Sequence, residues 1–279
     1  MKTLSSPSET QSLLRSIARG GGTIGLVPTM GCLHDGHLSL VKRARTENDF
    51  VVASIFVNPT QFGPSEDLAA YPRNIERDTA LLDAGGVDLL FSPQPSDMYP
   101  EGFSTSVTVA GVSERLCGGF RPGHFTGVAT VVCKLFNIAG ADRAYFGAKD
   151  YQQTVVIRRM ARDLNIGTVI VVCPTVREAD GLAMSSRNGY LAPDERKAAA
   201  VLNRALAAAR NEAENGERNA DRLVAITREI IAFEPLAEIE YAEAADADTL
   251  GSIGEITGPV LLALAVRIGK TRLIDNLVV

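Results

Sequence analysis

The sequence predicts an α/β fold: a doubly wound parallel sheet followed by a smaller C-terminal α+β unit. Three observations predict it. Short runs too apolar to be exposed alternate with amphipathic stretches of helical period. The early runs end in turns of small and polar residues, and the composition changes after Tyr190, where Ala-rich helices replace the alternation. The 279 residues suffice for one large domain and a smaller one, placed here at 1–178 and 179–279.

The N-terminal residues through Gly20 are a polar lead into an amphipathic helix, without the apolar core of a signal peptide. Thr23 to Thr29 is a buried strand, and Gly36 to Asn48 a helix with Leu38, Val41 and Ala44 on its apolar face. Phe50 to Val57 (FVVASIFV) is a second strand, Asn74 to Ala84 a helix and Val87 to Ser92 a third strand. That β-α-β-α-β order is the signature of a doubly wound, Rossmann-like sheet. From Pro93 the pattern loosens, with Ser106 to Ala110 a short strand and Cys117 to His124 a glycine-rich loop, either a lid or a long connection. Thr126 to Ala139 is an apolar helix, Asp142 to Phe146 a core strand and Thr168 to Val172 the last central strand. In the second unit Pro193 opens an Ala-rich helix reaching Asn215, Asn219 to Phe233 forms another, and Ile239 to Ala242 and Val260 to Val266 are strands.

A hydrophobic content of 46% with 22% charged residues is that of an ordinary globular enzyme, and no apolar run has the length of a membrane span. A net charge of -5 argues against broad nucleic-acid binding, which needs a basic face. The cysteines at 32, 117, 133 and 173 show no CxxC spacing, and thiols in a reducing cytoplasm fit them best.

The chemistry concentrates in Leu26 to Leu40, LVPTMGCLHDGHLSL, where a strand runs through a turn into a helix start. The first helical N–H groups there lack intrahelical partners and the helix dipole presents its positive end, so an anion is stabilised. His34 and His37 stand at that end, and Gly36 between them leaves room for a ligand over the turn. Two histidines three residues apart also suit a metal, although no Cys or Glu cluster completes a set. Two further strand ends carry polar groups: Asn58-Pro59-Thr60-Gln61, equally compatible with an Asn-capped turn, and Gly147-Ala148-Lys149-Asp150, equally compatible with a helix cap and a solvated lysine. Recurrence at the carboxyl ends of strands, where open parallel sheets bind ligands, favours one shared site.

Five blocks in order, PTMGCLHDGH at 28–37, FVNPTQF at 56–62, FRPGHFTGVATVVCKLFN at 120–137, FGAKDYQQ at 146–153 and DGLAMSSRNGYL at 180–191, resemble the pantothenate synthetase family within the HxGH nucleotidyltransferases. The resemblance implies condensation of (R)-pantoate with β-alanine, giving pantothenate, AMP and diphosphate through pantoyl adenylate, with ATP as substrate, Mg2+ required and a homodimer as the assembly. It implies His37 as proton donor and His34, Lys149, Ser185, Ser186 and Arg187 around the phosphates. Met30, Gly31, Gly36, Gly147, Asp150, Val176 and Met184 would complete the ATP site, with Gly147 and Asp150 at ribose and Val176 and Met184 beside adenine. Gln61 and Gln153 would grip pantoate, Asn58 would lie on the phosphate or magnesium side, and Arg121 or His124 would meet the β-alanine carboxylate. The Ser-Ser-Arg loop lacks the first lysine of the KMSKS loops it resembles, and Lys149 would supply that charge. Two rival readings are another nucleotidyltransferase, such as one transferring an adenylyl group to a phosphate ester or a small aminoacyl-tRNA synthetase relative, and a nucleotide-binding regulator without turnover. The acidic charge balance counts against the synthetase relative, and the full set of histidines, Lys149 and Ser-Ser-Arg against the regulator.

Overall fold

In the computed structural model, which describes every residue except Ser65, the chain forms β1 (Lys2–Leu4), α1 (Pro7–Arg19), β2 (Ile24–Thr29), α2 (Asp35–Glu47), β3 (Phe50–Ile55), α3 (Ile75–Ala84), β4 (Leu89–Phe91) and α4 (Pro95–Met98). It continues with α5 (Cys117–Phe120), α6 (His124–Ala139), β5 (Arg143–Gly147), α7 (Tyr151–Asp163) and β6 (Val169–Cys173). The remainder is α8 (Pro193–Ala198), α9 (Val201–Glu214), α10 (Ala220–Ala232), β7 (Ala237–Asp246), β8 (Val260–Ile268) and β9 (Thr271–Val278). Local chemistry sets the helix starts: the Ser6 hydroxyl accepts from Glu9 N ahead of Pro7 in α1, and Asn74 and Asn219 accept from Arg77 N and Arg222 N at α3 and α10.

Strands β1 to β6 form a parallel sheet in the order β1-β4-β3-β2-β5-β6. Its central strands β2, β3 and β4 read as apolar runs because both faces are covered. Leu26, Val52, Leu89 and Phe146 pack under α1, α6 and α7, while their neighbours Val27, Val51, Leu90 and Tyr145 pack on the other face with Leu40, Val41 and Leu82. The chain builds outward from β2 in one direction and from β5 in the other, so the switch of direction lies between these two strands. They share only the register Gly25↔Arg143 and Leu26↔Ala144. Beyond those pairs a crevice opens at the carboxyl ends. The antiparallel sheet β7-β8-β9 packs with α8, α9 and α10 around a separate core.

Several expectations are corrected. Ser106 to Ala110 is not a strand: the segment is mostly exposed, and Val107 N donates to the Thr130 hydroxyl rather than to a sheet edge. The 117–124 loop contains the helical turn α5, and His124 already begins α6. The single Ala-rich helix is two, interrupted at Ala199 and Ala200. Strand β6 is an edge strand, not a central one, and on α2 Leu40 is buried where Leu38 is half-exposed. Strand β7 is longer than expected, and β1, α4 and β9 were not anticipated; β9 hides because Arg272, Asp275 and Asn276 break its apolar pattern.

Helix α6 approaches the 3-10 turn Pro59–Gln61 so closely that a Cβ on Gly127 would lie 2.4 Å from the Thr60 carbonyl oxygen and 2.7 Å from Gln61 N. Gly127→Ala is therefore expected to cost about 1–3 kcal/mol, the usual range for overpacking. Urea denaturation reads this as a lower midpoint, and an unchanged midpoint would show that the turn is free to move.

Candidate active site

The β2–β5 crevice deepens into a cavity of about 230 Å³, and three walls can be built from the residues upward. The first is the turn after β2. Thr29 donates its hydroxyl to the Ser54 carbonyl and accepts from Gly31 N, while the carboxylate of Asp78, 1% exposed, accepts from Cys32 N at 2.6 Å and Leu33 N at 2.9 Å. The turn passes through positive φ at Gly31 (82°) and Cys32 (51°), so this carboxylate holds a conformation that the chain would not adopt unaided.

His34 is the residue that caps α2. Its Nδ1 accepts from Gly36 N at 3.2 Å, and His37 Nδ1 accepts from His34 N at 3.4 Å, with ring centroids 4.1 Å apart. Because both Nδ1 atoms accept, both rings carry their proton on Nε2 in this arrangement. A Cβ on Gly36 would come within 2.8 Å of the His34 ring, so glycine is needed first for the cap itself. Burial lowers the His34 pKa, with the Lys149 charge adding to it; burial and then His34 lower that of His37 to about 3. The pair is an arrangement of neutral N–H donors at a helix N-terminus.

The second wall follows β5. Gly147, Lys149 and Asp150 line the cavity from the end of that strand and the 3-10 turn Ala148–Asp150, with Gln153 one turn into α7. The Lys149 ammonium is 3.7 Å from Asp150 Oδ1, beyond hydrogen-bond length. The third wall is the 174–190 stretch. Met184 N donates to the Val176 carbonyl, which sets these two side chains side by side. Ser185 caps the turn Ser186–Tyr190 by accepting from Arg187 N, Ser186 contacts the Tyr71 hydroxyl at 3.4 Å, and Arg187 forms two bonds to Asp67 at 2.8 and 3.1 Å. Burial alone would lower the Arg187 pKa, but the Asp67 carboxylate reverses this and raises it.

The far end of the cavity has an apolar floor from α6, Val128, Val131 and Val132, under the amide of Gln61. Gln61 Nε2 points to Met30 Sδ at 3.1 Å, and its Oε1 accepts from Asn58 Nδ2 at 3.1 Å. Asn58 itself is 1% exposed and engaged with protein groups: its oxygen accepts from Tyr99 OH and from Thr60 N and Oγ1, and its amide also donates to the Gly127 carbonyl. Arg121 is committed to Glu66 at 2.5 and 2.7 Å and donates to His124 Nε2, which leaves His124 Nδ1 to donate to the Gln61 carbonyl at 2.8 Å.

Of the site residues read from the sequence, Met30, His34, Gly36, His37, Asn58, Gln61, Gly147, Lys149, Asp150, Gln153, Val176, Met184, Ser185, Ser186 and Arg187 all line this one cavity, as do Arg121 and His124. Gly31 does not line it and acts through the turn. Sequence reasoning missed Asp67, Tyr71, Asp78 and Tyr99. Asp78 alone left a trace, as an acid on the buried face of an amphipathic helix.

The sequence profile of the family described as Pantoate-beta-alanine ligase matches residues 2–278. The chain is 62% identical over 257 residues to a pantothenate synthetase of Roseiflexus sp. (strain RS-1), covering 92% of each, and 57% identical over 279 residues to that of Heliobacterium modesticaldum, covering 100% of this chain and 99% of the relative. Among solved structures it superposes on pantothenate synthetase from Thermus thermophilus with a TM-score of 0.95 at 49% identity, covering 99% of each chain. The ligase from Francisella tularensis, complexed with beta-gamma ATP and β-alanine, gives 0.80 at 35% identity, covering 99% of this chain and 97% of that one.

Burial, followed by the Arg121 charge, pushes the His124 pKa down to about 4, as burial pushes His37 down to about 3, against 6.5 for a free histidine. As pH falls below about 6.5 the unfolded chain takes up these protons first, so their contribution to stability is complete above that pH and is lost progressively toward 3 to 4. Denaturation midpoints are expected to fall between about pH 7 and 4.5. His124→Gln removes one of these groups and keeps a donor for the Gln61 carbonyl, so its curve should be flatter; a curve parallel to that of the parent would overturn the assignment.

Proposed function

We propose a two-step reaction for this chain, which belongs to the pantoate-beta-alanine ligase family: ATP activates the carboxylate of (R)-pantoate as an adenylate, and the amine of β-alanine then displaces AMP. In the first step the pantoate carboxylate oxygen forms a bond to the α-phosphorus as the bond to diphosphate breaks. In the second the amine attacks the acyl carbon, AMP leaves with the bridging oxygen, and pantothenate forms with loss of a proton from nitrogen. The observation that carries this reading is the convergence on one cavity of two neutral histidines at the α2 N-terminus, Lys149 and the Ser185–Arg187 turn.

In-line displacement at phosphorus needs stabilisation of growing negative charge and little covalent chemistry. His34 and His37, with the dipole of α2, are assigned to donate Nε2–H bonds to the α-phosphate and the leaving oxygens. Lys149 would neutralise the phosphates from across the crevice, with Ser185, Ser186 and Arg187 closing around them. Val176 and Met184 are assigned to border adenine, and Gly147 and Asp150 to meet ribose, Gly147 by leaving room. Gln61 and Gln153 would hydrogen-bond the pantoate hydroxyls, an amide both donating and accepting, while the α6 valines meet its gem-dimethyl carbon. Asn58 would act by fixing the Gln61 amide, and Arg121 and His124 by holding its backbone.

Magnesium would enter as the complex of ATP. Among the described residues no group of three or more His, Cys, Asp or Glu side chains stands ready to hold a metal. An ion bound through substrate phosphates keeps several of its waters and needs few protein ligands. The same reading takes residues 179–279 as a unit that shields the hydrolytically labile adenylate, the assembly as a homodimer and the compartment as the cytoplasm. Among the described residues no helix is long and apolar enough to cross a membrane.

His37→Ala is expected to leave the fold intact and to slow adenylate formation by about 100-fold or more; wild-type turnover would remove His37 from the mechanism. Labelled diphosphate should exchange into ATP when pantoate and magnesium are present without β-alanine, and not without pantoate. Release of ADP and phosphate, or exchange that requires β-alanine, would exclude the two-step order.

A further inference from the structure

The turn that carries Lys149 is not fixed by its own residues. The 3-10 turn starts after Gly147, which has no side chain to cap it, Asp150 makes no side-chain capping bond at the start of α7, and the ammonium of Lys149 has Asp150 only at 3.7 Å. A flexible four-carbon stem on an uncapped turn is a poor way to hold a charge in register with a reacting phosphate.

The missing constraint comes from the last strand. Asn276 on β9 donates through Nδ2 to the Lys149 carbonyl at 2.7 Å and to the Ala148 carbonyl at 3.1 Å, across 127 and 128 residues. These two bonds use both amide protons. Asn276 is held in turn by its neighbour. Asp275, 2% exposed, binds Arg177 through both carboxylate oxygens at 2.7 and 2.9 Å and accepts from Asn276 N at 2.8 Å. Successive residues of a strand face opposite ways, so β9 reaches the two nucleotide-facing walls at once: the 174–184 stretch through Asp275 and the Lys149 turn through Asn276.

We infer that Asn276 is a positioning residue for catalysis, holding the backbone of Lys149 so that its ammonium meets the triphosphate. The inference rests on the proposed role of Lys149 at the phosphates. Asn276 touches no substrate, and its effect travels through the lysine.

A double-mutant cycle on ATP binding tests this, because binding without pantoate needs no turnover. Asn276→Ala should weaken ATP binding about 10-fold and slow pantoate-dependent diphosphate exchange by about 10- to 100-fold, as for a misplaced binding group, while pantoate affinity stays within about 2-fold. In a Lys149→Ala background the same change should weaken ATP by less than about 2-fold, since residues that act through one another are not additive. Asn276→Leu, close in volume and lacking both donors, repeats the measurement should Asn276→Ala fail to fold. A merely structural residue would instead weaken both substrates and multiply the Lys149→Ala loss, which would overturn the inference. Wild-type ATP binding and exchange in Asn276→Ala, with Lys149→Ala defective, would overturn it alone. Wild-type behaviour of Lys149→Ala would overturn the role of the lysine and the inference with it.

Discussion

The pairing of β2 with β5 stops after Leu26↔Ala144, and the rest of the site depends on that short register. Had the two strands continued to pair, their ladder would fill the space between them at the carboxyl edge. Here β2 and β5 feed connections to opposite faces, so the polypeptide after Thr29 and the polypeptide after Gly147 diverge and leave a crevice between two turns. Each turn leads into a helix, which sets an N-terminus of α2 and one of α7 on either side of the same space. Anion affinity at this edge is thus a consequence of topology before any side chain is considered.

The side chains then determine what kind of anion site it is. Arg187 and Arg121 lie in bonded pairs with Asp67 and Glu66, and the histidine pair is neutral. Lys149 has the loosest carboxylate contact of the three cations around the cavity. An environment of neutral oriented donors with a lightly paired lysine stabilises charge that develops on a substrate without binding every polyanion strongly beforehand, which is what a reaction at phosphorus needs.

What the sequence made legible was local. The cap of α2, the Gly36 between two histidines and the strand-turn-helix order all lie within a few residues, so their chemistry shows in the string. The parallel sheet was legible too, since strands buried on both faces must be continuously apolar. Illegible features are bonds between distant segments: Asp78 on the Cys32 amide spans 46 residues, Tyr99 on Asn58 spans 41, and Arg187 on Asp67 spans 120. Asn58 shows what lies beyond local reading: the capped turn was legible and is present, while the bonds from Tyr99 and to Gly127, both remote in sequence, were not. Strand β9 was missed for a related reason, because its buried Asp275 reads as a surface residue until Arg177 is brought beside it.

The two sides of the cavity are also held by different kinds of bond. The turn after β2 hangs on a carboxylate bonded to backbone N–H groups, a contact shielded from substrate oxygens because Asp78 is only 1% exposed. The segments carrying Asp67 and Glu66 are instead joined to Arg187 and Arg121 by ion pairs whose side chains remain 17% to 28% exposed. A triphosphate offers a guanidinium the same oxygen geometry as a carboxylate, so it competes for these bonds at little cost in unmet hydrogen bonding. On the proposed assignment of these residues, the β2 turn would set the geometry of attack, while Arg187 would exchange Asp67 for the nucleotide phosphates. Such a division lets the site admit a large charged substrate and exclude water afterwards without disturbing the histidines and the strand ends that fix the reacting atoms.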